Sequence, residues 1–419
     1  MKSQKTIIFV LFGATGDLAV KKIFPALETL YTQGVFSSKS TVIAVSRRDW
    51  NDSQFLAHAG SFKSDFAKLI SYSRIDIEHG TGYENLYEKI EKLKKKNPNA
   101  EVLVYLSLAP RYQSRVIESL AKEKIMIRGG AKLLIEKPFG TDEKSAKALD
   151  ILLLSSLDES QIYRIDHYLG KDTVMTLMNL HESTENFSLL LSRENISQIH
   201  IRLFETKGIE GRGASYDHVG AFRDVGQNHI LEMLAVLAAD VPKKSWTEAR
   251  TDVLKHLTPP AKTCELSHRG QYDGYKKEAG VKVDSETETA FKITTSLSYG
   301  KLAGVPLILE AGKKMPVSEV FMEIIFKAVY GLPKKMHFNV QPDQEIITLY
   351  RDGKRDVFKV PKVNDAYANV IKVALNGSSR EFVGSSEIEA LWRYADHIVA
   401  CWNKVPLQIY GEDKPFLIQ

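Results

Sequence analysis

One turn constrains this chain more than any other feature. An apolar run, Thr6 to Phe12, breaks at Gly13-Ala14-Thr15-Gly16-Asp17-Leu18-Ala19 and leads straight into a helical pattern, Lys21 to Gln33. Glycines at a strand-to-helix turn let backbone N–H groups approach a pyrophosphate, and the helix N-terminus then stabilises the anion. The spacing here is GxxGxxA rather than GxGxxG, so the turn needs its context to be informative. That context is an alternation. Strand-like runs at Ser40 to Val45, Glu101 to Ser107 and Ala131 to Glu136 are interleaved with helical patterns at Arg111 to Glu123 and Glu143 to Ser155. Such alternation predicts a doubly wound α/β domain over residues 1–160, a parallel sheet covered by helices.

From about Ile196 the texture changes. Runs such as Ile199 to Phe204, Ala290 to Tyr299, Val320 to Ala328 and Gln344 to Tyr350 are separated mostly by turns. They predict an α+β domain, residues 161–419, on a large and mainly antiparallel sheet. The polar stretch Pro259 to Glu286 reads as its most loop-like part.

Composition excludes several function classes. Lysines and arginines number 57 against 52 acidic residues, a net charge of +5, and no basic run is long enough to track a nucleic-acid backbone. A mildly basic surface does suit anionic small molecules. Nothing approaches the roughly 18 to 20 apolar residues that span a bilayer, and the apolar run before Gly13 is too short for a signal peptide. Cys264 and Cys401 make no disulfide framework and no zinc spacing, so a reducing, cytoplasmic setting and a metal-free site are expected.

The second strand candidate ends in Ser46-Arg47-Arg48, where an NAD-specific domain of this kind has an acidic residue for the ribose 2′-hydroxyl. Arginine suits a 2′-phosphate, which favours NADP, with Arg47 the first candidate and Arg48 the second. Farther on, Gln161 to Lys171 reads QIYRIDHYLGK. His167, Tyr168 and Lys171 can all donate and two can be cationic, a set fit for a phosphate monoester. The segment Arg212 to His229, RGASYDHVGAFRDVGQNH, precedes an apolar helix, Ile230 to Ala239. At α-helical spacing Asp224 and Asn228 share a face and His229 points elsewhere.

Taken together, GATGDLA, EKPFG, RIDHYLGK and RDVGQNH resemble, in this order and spacing, the motifs of the glucose-6-phosphate dehydrogenase family. The similarity continues through RGQYDGY, GVPLILEAGK and EIEALWRYAD to cover essentially the whole chain. The resemblance implies a Rossmann-type NADP domain, and His229 as the general base on the C1 hydroxyl of a sugar phosphate, oriented by Asp166. It implies Gly13 to Leu18, Arg47, Ala109 and Pro110 at the cofactor and Lys137 between cofactor and sugar. His167, Tyr168 and Lys171 would hold the phosphate, and Glu205, Asp224 and Lys313 the sugar. A homodimer or dimer of dimers, paired through the large sheet, is implied as well. Asp166 and His167 are neighbours that must serve one pocket, so the strand should end or bend there. Two departures stand out. Ser318 replaces a frequent basic substrate contact, and Glu310 replaces an arginine of the second, structural NADP site of animal members. Another sugar substrate or a non-catalytic homologue would be the competing readings.

Overall fold

The computed structural model describes residues 4–63, 65–127, 129–183, 185–241, 244–258, 264–362, 366–411 and 416. Its chain forms two compact units, Met1–His167 with Asn364–Ser385, and Tyr168–Val363 with Ser386–Gln419.

Within the described residues, the first unit holds a six-stranded sheet of β1 (Ile7–Phe12), β2 (Thr41–Ser46), β3 (Ile70–Arg74), β4 (Glu101–Leu106), β5 (Lys132–Glu136) and β6 (Ile162–Ile165). The order is β3-β2-β1-β4-β5-β6 and every pairing is parallel. All six residues of β1, IIFVLF, are buried, as a central strand covered on both faces must be. One face packs on Phe24, Leu27 and Phe55, the other on Val116, Ile117 and Leu120. The expected doubly wound domain is therefore present. Strand order reverses between β1 and β4, and ligands bind outside the carboxyl ends of such strands.

A helix from far along the chain, Ala366–Asn376, belongs to this unit. Its Ala368, Ile371 and Leu375 lie in the same apolar cluster as Phe24 and Leu27. Lysines secure its C-terminal end, where cations offset the helix dipole. The Lys132 ammonium donates to the Ala374 carbonyl at 3.1 Å and that of Lys5 to the Leu375 carbonyl. Both ammonium groups also pair with Glu101, at 3.1 and 2.7 Å.

The second unit carries a nine-stranded sheet of β7 (Ile196–Phe204), β8 (Ser267–Tyr272), β9 (Ala290–Thr295), β10 (Leu307–Gly312), β11 (Glu319–Phe326), β12 (Lys335–Gln341), β13 (Glu345–Leu349), β14 (Arg355–Lys359) and β15 (Leu407–Tyr410). Its order is β14-β13-β12-β11-β7-β10-β9-β8-β15. Only β7 with β10 and β8 with β15 run parallel, which bears out a mainly antiparallel sheet. Buried Ile199, Ile201, Leu309, Met322 and Phe338 line one face. Two expectations need correcting. The stretch expected to be loop-like contains β8, whose polar SHRGQY residues are held by pairing with β9 rather than by an apolar face; its residues 259–263 lie outside the described part. Cys401 is disulfide-bonded rather than a reduced thiol, because bonding depends on spatial proximity that sequence spacing does not reveal.

Candidate active site

The turn after β1 has the shape its glycines allow. Gly13 has φ +75°, and a Cβ there would lie 2.0 Å from the Ser107 carbonyl oxygen, so only glycine lets these two backbones meet. Ser107 follows β4, and just beyond it Ala109 precedes a helix, Pro110–Lys122, with Pro110 at its first position. The turn is closed by the Gly16 N–H on the Gly13 carbonyl at 2.9 Å, and the Ala14 N–H donates to Val45 on β2 at 3.1 Å. Two helix starts thus face the crevice at the strand-order reversal, a cradle with the positive dipole end that a pyrophosphate needs. Asp17 and Leu18 open the first of them, where Asp17 pairs with Lys21 at 2.8 Å on the surface. The imidazole of His58 lies 3.1 Å from the Thr15 carbonyl oxygen.

At the end of β2, Arg47 and Arg48 are both exposed. The Arg48 guanidinium lies 4.7 Å over the Trp50 ring, which in turn packs on His58 at 5.2 Å.

Strand β6 ends at Ile165, and residues 167–170 form a turn. Asp166 and His167 are therefore outside the strict alternation of a strand, which removes the geometric difficulty raised by the sequence. Asp166 is buried. The His167 ring stacks on Tyr367 at 5.8 Å with the planes 10° apart. One strand over, β5 ends at Glu136, followed by Lys137 and a cis Lys137–Pro138 peptide.

In the second unit the remaining candidates fall into two groups. Tyr168 is buried with its ring 4.1 Å from that of His229, and the Lys171 ammonium lies 5.6 Å over the same tyrosine. The turn that sets this spacing is closed by the Lys171 N–H on the Tyr168 carbonyl at 3.0 Å. In the other group, Lys313 reaches Glu205 at 2.5 Å and Asp224 at 3.2 Å. Its backbone is fixed twice, by donation to the Thr289 carbonyl at 3.0 Å and by the Tyr410 hydroxyl on its own carbonyl at 2.7 Å. Ser318, at the position of the missing basic contact, accepts the Thr206 N–H at 2.9 Å, one residue from Glu205.

Asp224 and His229 lie on a π-helical segment, Phe222–Ile230, that continues into an α-helix, Leu231–Ala238. On this segment Asn228 lies beside Asp224, which pairs with Lys313, while His229 packs on Tyr168. Asn228 also stabilises the widened turn. Its amide donates to the carbonyls of Arg223 and Asp224 at 3.2 and 3.1 Å, and its Oδ1 accepts the His229 N–H at 2.7 Å. Glycine at 226 leaves room for Phe222, whose ring carbon would lie 2.3 Å from a Cβ there.

Two residues here escaped the sequence reading. Glu288 receives the Phe222 N–H at 3.0 Å and so holds the start of the π segment; burial pushes its carboxyl up to about 7. The Tyr216 ring lies 5.4 Å from the Lys313 ammonium, and burial drives its hydroxyl well above the ordinary range. Tyr216 was visible within GASYDH, but nothing in that string marks a lysine contact. Chemically, the second unit offers an imidazole beside a phenol and an ammonium, and two carboxylates sharing a buried ammonium. The latter are acceptors and a donor suited to hydroxyl groups.

Among the described residues no helix is long and apolar enough to cross a membrane. A family model described as the NAD binding domain of glucose-6-phosphate dehydrogenase matches residues 10–176, and one for the C-terminal domain of the same enzyme matches residues 178–415. The chain is 32% identical over 418 residues to the glucose-6-phosphate 1-dehydrogenase of Helicobacter pylori strain J99, spanning 96% of this chain and 95% of that protein. Its fold is similar to the glucose-6-phosphate 1-dehydrogenase structure from Mycobacterium avium, with TM-score 0.85 and 30% identity over 98% of this chain and 95% of that one. It is similar also to a glucose-6-phosphate dehydrogenase solved with its substrate glucose 6-phosphate, with TM-score 0.88 and 26% identity over 99% and 97% of the two chains.

Proposed function

The chain belongs to the glucose-6-phosphate dehydrogenase family, and from that premise we propose that it oxidises glucose 6-phosphate at C1 to 6-phosphoglucono-1,5-lactone with NADP as hydride acceptor. The observation that carries this reading is the gathering of Tyr168, Lys171 and His229 in one group and Glu205, Asp224 and Lys313 in another within a single unit. A phosphate dianion calls for donors such as Tyr168 and Lys171, with His229 beside them as the base, and a ring of hydroxyls calls for the second group.

When bound, the nicotinamide supplies the acceptor for the hydride. The protein's residues do the rest. His229 takes the proton of the C1 hydroxyl, so that the oxygen's electron pair forms the lactone carbonyl as the hydride departs. Asp166 orients the imidazole and supports its positive charge. Lys171, His167 and Tyr168 hold the phosphate, Glu205 and Asp224 accept sugar hydroxyls, and Lys313 donates from the sheet. Lys137 bridges sugar and cofactor, beside Ala109 and Pro110 at the nicotinamide end.

The glycine turn at Gly13 to Leu18, after β1 and at the strand-order reversal, supports a dinucleotide. With Arg48 over Trp50, exposed Arg47 is the residue for a 2′-phosphate, which favours NADP over NAD. Pairing of two copies through the nine-stranded sheet, a cytoplasmic location and a metal-free mechanism belong to the same reading.

Absorbance of reduced nicotinamide, comparing glucose 6-phosphate with glucose and NADP with NAD, tests the substrates directly. For the residues, His229→Asn should lower kcat by about 10² to 10⁴-fold, the range for a positioned base, with a modest change in KM. Asp166→Asn should do less. The double variant should be far better than the product of the two, because residues acting as a unit are non-additive. Near-normal kcat in His229→Asn would sink this assignment and make Lys137 the next base to test.

A further inference from the structure

The Asp224 carboxylate and the Lys313 ammonium come from different parts of the second unit, and two neighbouring residues with no part in the mechanism above hold them 3.2 Å apart. Glu288 and Thr289 stand just before β9, and both are buried. Glu288 grips the π-helical segment. Its backbone carbonyl accepts the Ala221 N–H at 2.9 Å and its Oε1 accepts the Phe222 N–H at 3.0 Å, two successive donors at a helix start, where backbone N–H groups lack partners within the helix. Gly220, at φ +79°, lets the carboxyl come this close, since a Cβ there would lie 2.2 Å from Oε1. Asp224 follows Phe222 by two residues.

Thr289 grips Lys313. Its carbonyl accepts the Lys313 N–H at 3.0 Å, and its hydroxyl lies 2.8 Å from that of Tyr410, which donates to the Lys313 carbonyl at 2.7 Å. The pair is itself anchored to β8, where the Thr289 N–H donates to the Gly270 carbonyl at 2.7 Å and the Thr289 hydroxyl accepts the Tyr272 N–H at 2.9 Å. One short stretch of backbone therefore fixes both members of the ion pair, and the Glu288 side chain is its link on the Asp224 side. His229 is held separately, by packing on Tyr168 at 4.1 Å and by the helix after it, buried from Leu231 to Leu237.

We propose that Glu288 is a positioning residue for sugar binding: through the Phe222 N–H it sets where Asp224 meets Lys313, and with it the spacing of acceptor and donor offered to the sugar hydroxyls. The inference rests on the reading of Asp224 and Lys313 as sugar ligands.

Two conservative variants of the full-length protein separate placement from charge. Glu288→Asp keeps the carboxyl but retracts it by about one carbon–carbon bond, roughly 1.5 Å, whereas Glu288→Gln keeps an acceptor oxygen at full reach without the charge. In Glu288→Asp the KM for glucose 6-phosphate should rise by about 10- to 10²-fold, the range for a broken hydrogen bond to a charged group. Its kcat and its affinity for NADP in a binding titration should stay close to wild type. Glu288→Gln should recover most of that KM. Added to Asp224→Ala, Glu288→Asp should raise KM little further, because the two residues act as a unit. An unchanged KM in Glu288→Asp, a Glu288→Gln enzyme no better than Glu288→Asp, an equal loss of NADP affinity, or a full further rise on top of Asp224→Ala overturns the proposal. Failure of the underlying reading shows separately, as an unchanged KM in Asp224→Ala alone.

Discussion

Gly226 lies three residues before His229 on the π-helical segment, and it offers a test of how closely that segment must be placed. A Cβ at this position would be 2.3 Å from Phe222 Cδ2 and 2.8 Å from Phe291 Cζ. Carbon atoms in contact need about 3.5 to 4.0 Å, so alanine demands more than about 1 Å of displacement in either the rings or the helix. The rings cannot give easily, since Phe222 is packed edge-on against Phe291 at 5.0 Å and Trp402 at 5.4 Å. The helix gives instead. Overpacking costs about 1–3 kcal/mol, while replacing glycine in a helix returns up to about 1 kcal/mol. The variant Gly226→Ala should therefore fold, with a melting temperature lowered by a few degrees. Misplacing a catalytic group by about 1 Å costs roughly 10²-fold in rate, or about 2.7 kcal/mol of transition-state stabilisation. We expect kcat near one hundredth of wild type with KM much less affected. Adding Phe222→Leu, which makes room for the methyl group, should recover part of kcat. Refutation would be a Gly226→Ala enzyme within about threefold of wild-type kcat, for then the π segment tolerates a shift that the proposed base does not.

Three further outcomes are expected. Arg47→Ala should weaken NADP far more than NAD in a binding titration, and equal losses would transfer the role to Arg48. Lys171→Ala should raise KM for the phosphorylated sugar while hardly changing residual turnover of free glucose; equal damage to both would assign Lys171 a structural role. Activity should survive exhaustive chelation, and loss restored by one particular divalent ion would show that a metal takes part.

How much of this was legible depends on which physical signal each element carries. Strand β1 announces itself because burial on both faces demands an unbroken apolar run, and the Gly13 turn because only glycine fits against Ser107. Strand β14, RDVFK, is exposed at all five residues, so it has no alternation to read, and β8 hides behind polar side chains. The candidate side chains came from motifs, and the structure puts Tyr168 beside both Lys171 and His229. What the motifs could not give was pitch. Nothing in RDVGQNH marks Phe222–Ile230 as π-helical rather than α-helical. Glu288 was invisible for a related reason: a single acidic letter does not say whether it faces water or a buried backbone N–H.

The helix Ala366–Asn376 has a consequence for the order in which this protein can be made. The first unit is not complete when its own N-terminal stretch is complete, because its last component, Asn364–Ser385, follows most of the second unit. A growing chain emerges N-terminus first, with domains generally folding as units during synthesis. Here Phe24 and Leu27, and the lysines at positions 5 and 132, must wait for a helix that the ribosome adds long after β6. The first unit therefore closes after most of the second already exists. An N-terminal fragment ending near residue 176, where the first family match stops, would be left with that apolar surface open to water.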